Sequence, residues 1–135
     1  MKVSAGDAIL LNTGRWARRA KVGPWRTAAP PAGEGSAGLD ISVGPWLRKR
    51  DIAVAGSDGA LEVISNRPQG VPYPRGFPLH TFLIAGMGVP FLDVLQLDTL
   101  AETAARLNRW EFMLTVAPIP IISGTGGPIN PLAIF

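Results

Sequence analysis

Apolar and polar positions along the chain change period several times, which predicts strands interleaved with helices. Short apolar runs bounded by turn residues predict strands over Asp7–Gly14 and Asp51–Gly56. Val89–Val94 is either a short strand or an extended crossing, and Glu111–Ile122 is expected to be a buried strand with prolines near its end. This alternation is typical of an α/β fold with an at least partly parallel sheet.

Three segments carry the helical period. The clearest helix is Leu97–Arg109, in which apolar residues recur at helical spacing. A second helix is predicted over Leu39–Arg50, because three cations near its end suit the negative pole of a helix dipole. A third runs from Leu79 to about Ala85, and Gly86 and Gly88 are expected to end it.

The composition of the chain is more apolar and less charged than is usual for a protein of 135 residues, a length that fits one domain. Hydrophobic residues make up 47% and charged residues 17%, which predicts a surface that another domain or subunit covers, or simply an apolar α/β core. The chain has no cysteine, so disulfides, thiolate metal sites and a cysteine nucleophile are excluded.

The start of the chain has no long apolar stretch of the kind found in signal peptides. The apolar runs elsewhere are too short to cross a bilayer. These features predict a cytoplasmic protein with no membrane partner.

The net charge of +3 is concentrated in one segment near the N-terminus. Basic residues alternate there with two tryptophans: Arg15, Trp16, Arg18, Arg19, Lys21, Trp25 and Arg26. Such a segment can bind single-stranded nucleic acid through phosphate contacts and base stacking. It can also form a surface in which the tryptophans pack on the domain while the arginines stay in water. No nucleic-acid-binding motif accompanies the segment, which favours the second interpretation.

The only histidine, His80, precedes the carboxylate of Asp93 by thirteen residues. One imidazole and one carboxylate cannot complete a zinc or manganese shell, which usually needs three or more protein ligands. From spacing alone, His80 is either a site histidine or a helical histidine bonded to a backbone carbonyl. Asp93 is either a ligand, or a cap or surface acid before the Leu97–Arg109 helix.

Asp58 follows a predicted strand, in the sequence Ser57-Asp58-Gly59. The end of a strand is the usual position of functional residues in α/β folds, so Asp58 is a candidate pocket residue. Ser, Asp and Gly are also what a tight turn needs, and a turn residue is the alternative.

Four blocks occur in an order that resembles the C-terminal half of the cyclase family, the metal-dependent hydrolases that include bacterial kynurenine formamidase (an arylformamidase) and isatin hydrolase. The blocks are Gly6–Arg19, Val43–Val63, Pro78–Glu102 and Arg109–Phe135. The resemblance implies a swivelling β/β/α domain with a mixed β-sheet and flanking helices, assembled as a dimer or larger homo-oligomer. Residues 1–135 would then be the C-terminal part of a single cyclase-like domain, truncated at its N-terminus.

The resemblance also implies an activity: hydrolysis of an amide or lactam by water activated on zinc or manganese. The arylformamidase members act on N-formylkynurenine in tryptophan catabolism. His80 falls on the family's Pro-x-His segment, whose histidine is a metal ligand or catalytic-site residue. Asp93 takes the place of a family glutamate that is often a second metal ligand.

The family's main metal motif, His-x-Gly-Thr-His-x-Asp, is absent from this chain. The expectation is therefore a cyclase-family hydrolase that is inactive as the isolated chain. The alternative is a non-catalytic binding or assembly module that keeps the fold without the metal chemistry.

Overall fold

The computed structural model describes residues 2–24, 36–63 and 77–135. They divide into two compact units, residues 2–98 and residues 99–135. The elements, in chain order, are β1 (Ala8–Leu11), α1 (Arg15–Val22), α2 (Gly44–Arg50), β2 (Val54–Ser57), α3 (Pro78–Thr81), β3 (Phe91–Leu92), α4 (Asp98–Leu107), β4 (Met113–Thr115) and β5 (Leu132–Ile134). Trp25 and Arg26 of the basic segment lie outside the described residues.

A parallel sheet of three strands, in the order β1-β2-β3, organises the first unit. Ala8 pairs with Val54 at the start of the β1–β2 ladder, and Ala55 of β2 pairs with Phe91 of β3. Because parallel neighbours need crossover connections, the segments between these strands carry the helices. The prediction of an α/β class with a partly parallel sheet is confirmed.

Apolar side chains from the strands and helices of the first unit form one core. Its buried members are Leu47, Ile52, Ala55, Leu61, Leu79, Leu83 and Val89. Leu47 comes from α2, Ala55 from the central strand, and Leu79 and Leu83 from α3 and the turn that continues it. The core therefore ties the helix that carries His80 to the centre of the sheet.

The segment predicted as the second helix, Leu39–Arg50, contains two consecutive helical pieces. The chain makes a 3-10 turn over Ile41–Val43, where the Asp40 carboxylate accepts a hydrogen bond from the Ser42 amide at 3.0 Å. Helix α2 then begins at Gly44, with Pro45 in its first turn, where a missing N–H costs nothing. Leu39 itself bridges to Glu62 in a parallel arrangement and lies outside the helix.

The third predicted helix does not end at Gly86, which corrects the sequence-based expectation. Helix α3 passes directly into a π-helical turn over Phe82–Met87, so Gly86 lies inside the helical segment. The segment ends at Gly88, whose backbone is left-handed at φ 70°, a conformation that glycine adopts without steric cost.

The second unit contains α4 from Thr99 onward and an antiparallel ladder of β4 and β5, in which Met113 pairs with Ile134. The Phe112 and Phe135 rings lie 5.3 Å apart at the base of this ladder. The prediction of a buried strand over Glu111–Ile122 is wrong in extent and in burial. Strand β4 covers only three residues, and two of them are exposed, because its single described partner is β5.

The described parts of the chain contain one parallel ladder and one separate antiparallel ladder, so a single mixed sheet stays a prediction. The prediction of a single cyclase-like domain over residues 1–135 stays a prediction. None of the helices in the described ranges is long and apolar enough to span a lipid bilayer.

Candidate active site

The carboxyl ends of the three parallel strands bring candidate residues to one edge of the first sheet. Thr13 follows β1, Asp58 follows β2, and Asp93 follows β3. Since the three strands are parallel neighbours, these residues lie at the same edge. In open α/β sheets, that edge is where ligands bind.

His80 lies between two carboxylates, in what we name the Glu62–His80–Asp93 cluster. His80 Nδ1 is 3.1 Å from Glu62 Oε2, and His80 Nε2 is 3.0 Å from Asp93 Oδ2. The Phe91 ring stacks on the imidazole with centroids 4.3 Å apart, and the Phe77 ring lies at 5.1 Å in a tilted orientation. The two carboxylates and two aromatic rings fix the position and the plane of the imidazole.

The Glu62 carboxylate is buried and acts as the cap of α3. Its Oε1 accepts a hydrogen bond from the Leu79 amide at 2.9 Å, and its Oε2 accepts one from the His80 amide at 3.4 Å. The residue at the N-cap position, Phe77, has no side-chain acceptor, so these amides would otherwise lack the capping bond that Ser, Thr, Asp or Asn provides. The position is also electrostatically favourable for an anion, because the N-terminus of a helix carries partial positive charge.

Asp93 is held next to His80 by a strained turn. Val94 has φ 57°, a left-handed conformation that is unusual for a β-branched residue and costs on the order of 1–3 kcal/mol. The turn is fixed by hydrogen bonds from the Val94 amide to the Gly59 carbonyl and from the Leu95 amide to the Ser57 carbonyl, both at 2.9 Å. It leaves the Asp93 side chain 36% exposed, with its carboxylate at His80 Nε2.

Asp58 is fully buried, and its carboxylate is occupied by groups of this chain. Its Oδ1 accepts from the Thr13 amide at 2.9 Å and the Thr13 hydroxyl at 2.7 Å, and its Oδ2 accepts from the Arg15 amide at 2.8 Å. Burial acts to raise the pKa of Asp58, but the hydrogen bonds from Thr13, Arg15 and Ser57 outweigh it, so the pKa is lowered. Asp58 thus joins the end of β2 to the start of α1.

The structure brings together two of the three candidate residues, His80 and Asp93, and keeps Asp58 in a separate network. The His80 ring nitrogens contact carboxylates, so the alternative of a bond to a backbone carbonyl does not describe them. Asp93 does not cap α4, because that helix begins at Asp98, whose amide donates to the Gln96 side chain. A pocket role for Asp58 stays a prediction.

Sequence reasoning missed Glu62, the residue that joins the cluster to the core. A signal was available, since Glu62 is a lone charged residue between the apolar Leu61 and Val63, directly after a predicted strand and turn. A carboxylate in such a run is buried only when it is paired or bonded. The sequence does not show which partner, because Leu79 and His80 lie far along the chain.

The described part of the basic segment forms helix α1, with its tryptophan turned toward the unit. The Trp16 indole N–H donates to the Leu95 carbonyl at 2.8 Å. The guanidinium carbons of Arg15 and Arg19 lie 5.8 and 5.9 Å from the Trp16 ring centroid, a cation–π arrangement, and Arg19 is exposed. The geometry fits the interpretation in which tryptophan packs on the protein, with Arg18, Arg19 and Lys21 exposed and Arg15 half-buried.

The cluster has the right kind of donors for zinc or manganese but too few of them. Imidazole nitrogen and carboxylate oxygen are both common ligands of these ions. However, the residues that the structure describes contain no group of three or more His, Asp or Glu placed to hold a cation. His80 Nδ1 faces Glu62, so only His80 Nε2 and the Asp93 carboxylate remain as donors at the exposed side.

The comparison with solved structures finds a crystal structure described as a novel cyclase. It superposes with a TM-score of 0.77 at 26% sequence identity, over 99% of this chain and 42% of that chain. The present chain thus spans less than half the length of the solved cyclase. No family model matches the sequence. No curated protein matches it either.

Proposed function

We propose that this chain is a cyclase-family protein and that the Glu62–His80–Asp93 cluster is its part of a hydrolytic metal site. The fold and sequence similarity to a solved cyclase supports the family. The observation that carries the site is the contact between His80 Nε2 and Asp93 at 3.0 Å, because the family resemblance implies a ligand at each of these two positions. The swivelling β/β/α domain belongs to this proposal.

For the complete site, the resemblance implies hydrolysis of an aryl formamide such as N-formylkynurenine, or of a related amide or lactam. Zinc or manganese would supply an activated water in such a site. Two donors do not complete a shell of three or more protein ligands. We therefore propose that this chain binds a divalent cation weakly and is catalytically inactive by itself.

The first expected result concerns cation binding. Calorimetric titration of the 135-residue chain with zinc or manganese should give weak binding, and His80→Ala should lower the affinity at least tenfold, because it removes the nitrogen donor. Asp93→Asn should weaken binding to a smaller extent, since the amide keeps one oxygen donor without the charge. The matched control is Asp51→Asn, because Asp51 is an exposed carboxylate paired with Arg48 at 3.6 Å.

Two outcomes would contradict this proposal in different ways. If the wild-type chain binds neither cation at millimolar concentration, the metal site is wrong and the non-catalytic binding or assembly module takes its place. If the chain instead holds a stoichiometric cation tightly and hydrolyses N-formylated aromatic amines, the two-donor site is a complete enzyme site and the proposed inactivity is wrong.

We also propose that the apolar face of the β4–β5 ladder is covered by a second copy of the chain. Met113, Leu132 and Ile134 are exposed, and the register places all three on one face of the ladder. An isolated two-stranded hairpin is at best marginally stable in water, so such a face needs cover. A two-fold axis would bring the same apolar face of each copy into contact.

The oligomer proposal predicts a dimer or larger assembly in light scattering coupled to size exclusion. Met113→Lys combined with Ile134→Lys should shift the chain toward monomer, because two charges from each copy would be buried in the contact. Glu102→Lys, at an exposed position of α4, is the control for added positive charge. A wild-type chain that is monomeric at every concentration would exclude the second copy. The cytoplasmic location stays a prediction.

A further inference from the structure

We infer that Glu62 is a positioning residue that holds the His80 ring by accepting a hydrogen bond from Nδ1–H, so that Nε2 is the ring nitrogen at the exposed side, next to Asp93. The inference rests on the proposed function, because Nε2 is the atom that the proposed site uses. It adds a residue that neither the sequence pattern nor the family resemblance assigned.

A neutral imidazole has one N–H and one lone pair, so it can donate to only one of the two carboxylates. The Glu62 side chain is 2% exposed and the Asp93 side chain is 36% exposed. A carboxylate that water cannot reach loses more when a hydrogen bond is missing than one that water can solvate. The ring proton therefore belongs on Nδ1, where it is donated to Glu62.

The two hydrogen bonds that Glu62 accepts from α3 fix the carboxylate before it meets the ring. Leu79 N and His80 N orient its two oxygens, and its Oε2 then lies 3.1 Å from His80 Nδ1. A ligating histidine is commonly held in this manner, with one nitrogen bonded to a carboxylate so that the other faces the ligand. Glu62 thus links the helix start, the imidazole tautomer and the exposed donor.

Glu62→Gln gives a specific expected result, because an amide presents one oxygen and one NH2 group. The oxygen should remain on the Leu79 amide, because NH2 there would oppose a backbone N–H at 2.9 Å, whereas at the other position it opposes the His80 amide at the longer distance of 3.4 Å. The NH2 then faces His80 Nδ1 and donates to it. That requires a lone pair on Nδ1, so the ring proton should move to Nε2.

The measurement is a two-dimensional ¹H–¹⁵N spectrum of the imidazole nitrogens in mildly alkaline solution, where an ordinary imidazole is neutral. His80 is the only histidine in the chain, so every imidazole nitrogen signal comes from this residue. The wild-type chain should show the Nδ1–H tautomer, and Glu62→Gln should show the Nε2–H tautomer. The control Asp93→Asn should retain Nδ1–H, because Glu62 is unchanged.

An Nε2–H tautomer in the wild-type chain would overturn the inference, and so would a Glu62→Gln spectrum identical to the wild type. If Glu62→Gln does not fold, the wild-type and Asp93→Asn spectra still decide, since a change of tautomer in Asp93→Asn would make Asp93 the positioning group. No cation is present in this experiment. A failed cation titration would therefore count against the proposed metal site and leave the role of Glu62 to the spectra.

Discussion

Replacing Asp58 by asparagine should lower the free energy of unfolding by about 3 kcal/mol, because buried hydrogen bonds to a charged group are lost and a donor meets a donor. If the Asn oxygen stays on Thr13, the new NH2 group faces the Arg15 amide, which is 2.8 Å from the carboxylate oxygen that it replaces. If the side chain is flipped, the NH2 group meets the Thr13 amide instead. Neither orientation satisfies every group, and the side chain at position 58 is fully buried.

Urea denaturation followed by far-ultraviolet circular dichroism would measure this loss. The matched control is Asp51→Asn, which makes the same chemical change at a residue that is exposed and has a left-handed backbone (φ 51°) that asparagine tolerates. It should change stability by less than about 0.5 kcal/mol. Equal losses in the two variants would mean that the Asp58 network does not stabilise the fold.

The lowered pKa of Asp58 also predicts a pH dependence with a definite sign. In the folded chain the carboxyl group loses its proton more readily than in the unfolded chain, where the ordinary value of 3.8 applies. Between the lowered value and 3.8, the unfolded state therefore binds more protons, and stability rises with pH. The contribution is fully present above 3.8 and is lost as the pH falls through the lowered value. The stability difference between wild type and Asp58→Asn should shrink over that interval of acid pH.

Local sequence patterns predicted strands in the first unit because the apolar residues of those strands are the ones that the sheet buries. The apolar run that contains β1 and the segment that overlaps β2 were recognisable as strands, since each is bounded by turn residues. The prediction of a buried strand over Glu111–Ile122 was wrong because an apolar run occurs both in buried strands and in exposed edge strands. Gly86 failed as a helix end because a π-helical turn continues through it to Gly88.

The sequence predicted a site residue only where its residue type or its position in a family motif was distinctive by itself. His80 was conspicuous as the single histidine, and the family resemblance pointed to Asp93. Glu62 was missed because its role comes from the N-terminus of α3, which is brought to it by the core packing of Leu79. The hydrogen bonds to the Asp58 carboxylate could not be predicted from the sequence either, since they depend on how β1 and β2 pair.

Gly38 lies against the backbone of the residue that positions His80, and Gly38→Ala is expected to have the second large effect. A Cβ atom built on Gly38 would overlap the Glu62 carbonyl group and lie 2.6 Å from the Leu61 carbonyl oxygen. These are backbone atoms, so no side-chain rotation can relieve the overlap. The two segments are also bonded to each other, by the Leu39 amide to the Leu61 carbonyl at 2.6 Å and by the Val63 amide to the Leu39 carbonyl at 2.9 Å.

Relief of the overlap must therefore separate these segments, at a cost of about 3 kcal/mol, the upper part of the range for overpacked sites. The same movement would shift Glu62 away from His80, so the imidazole nitrogen signals should change together with the urea midpoint. Gly59→Ala is the matched control, because the nearest atoms to a Cβ there lie at 3.8 Å, an ordinary contact. A Gly38→Ala chain with wild-type stability and an unchanged imidazole spectrum would show that the close approach of Gly38 to Glu62 does not hold the cluster in place.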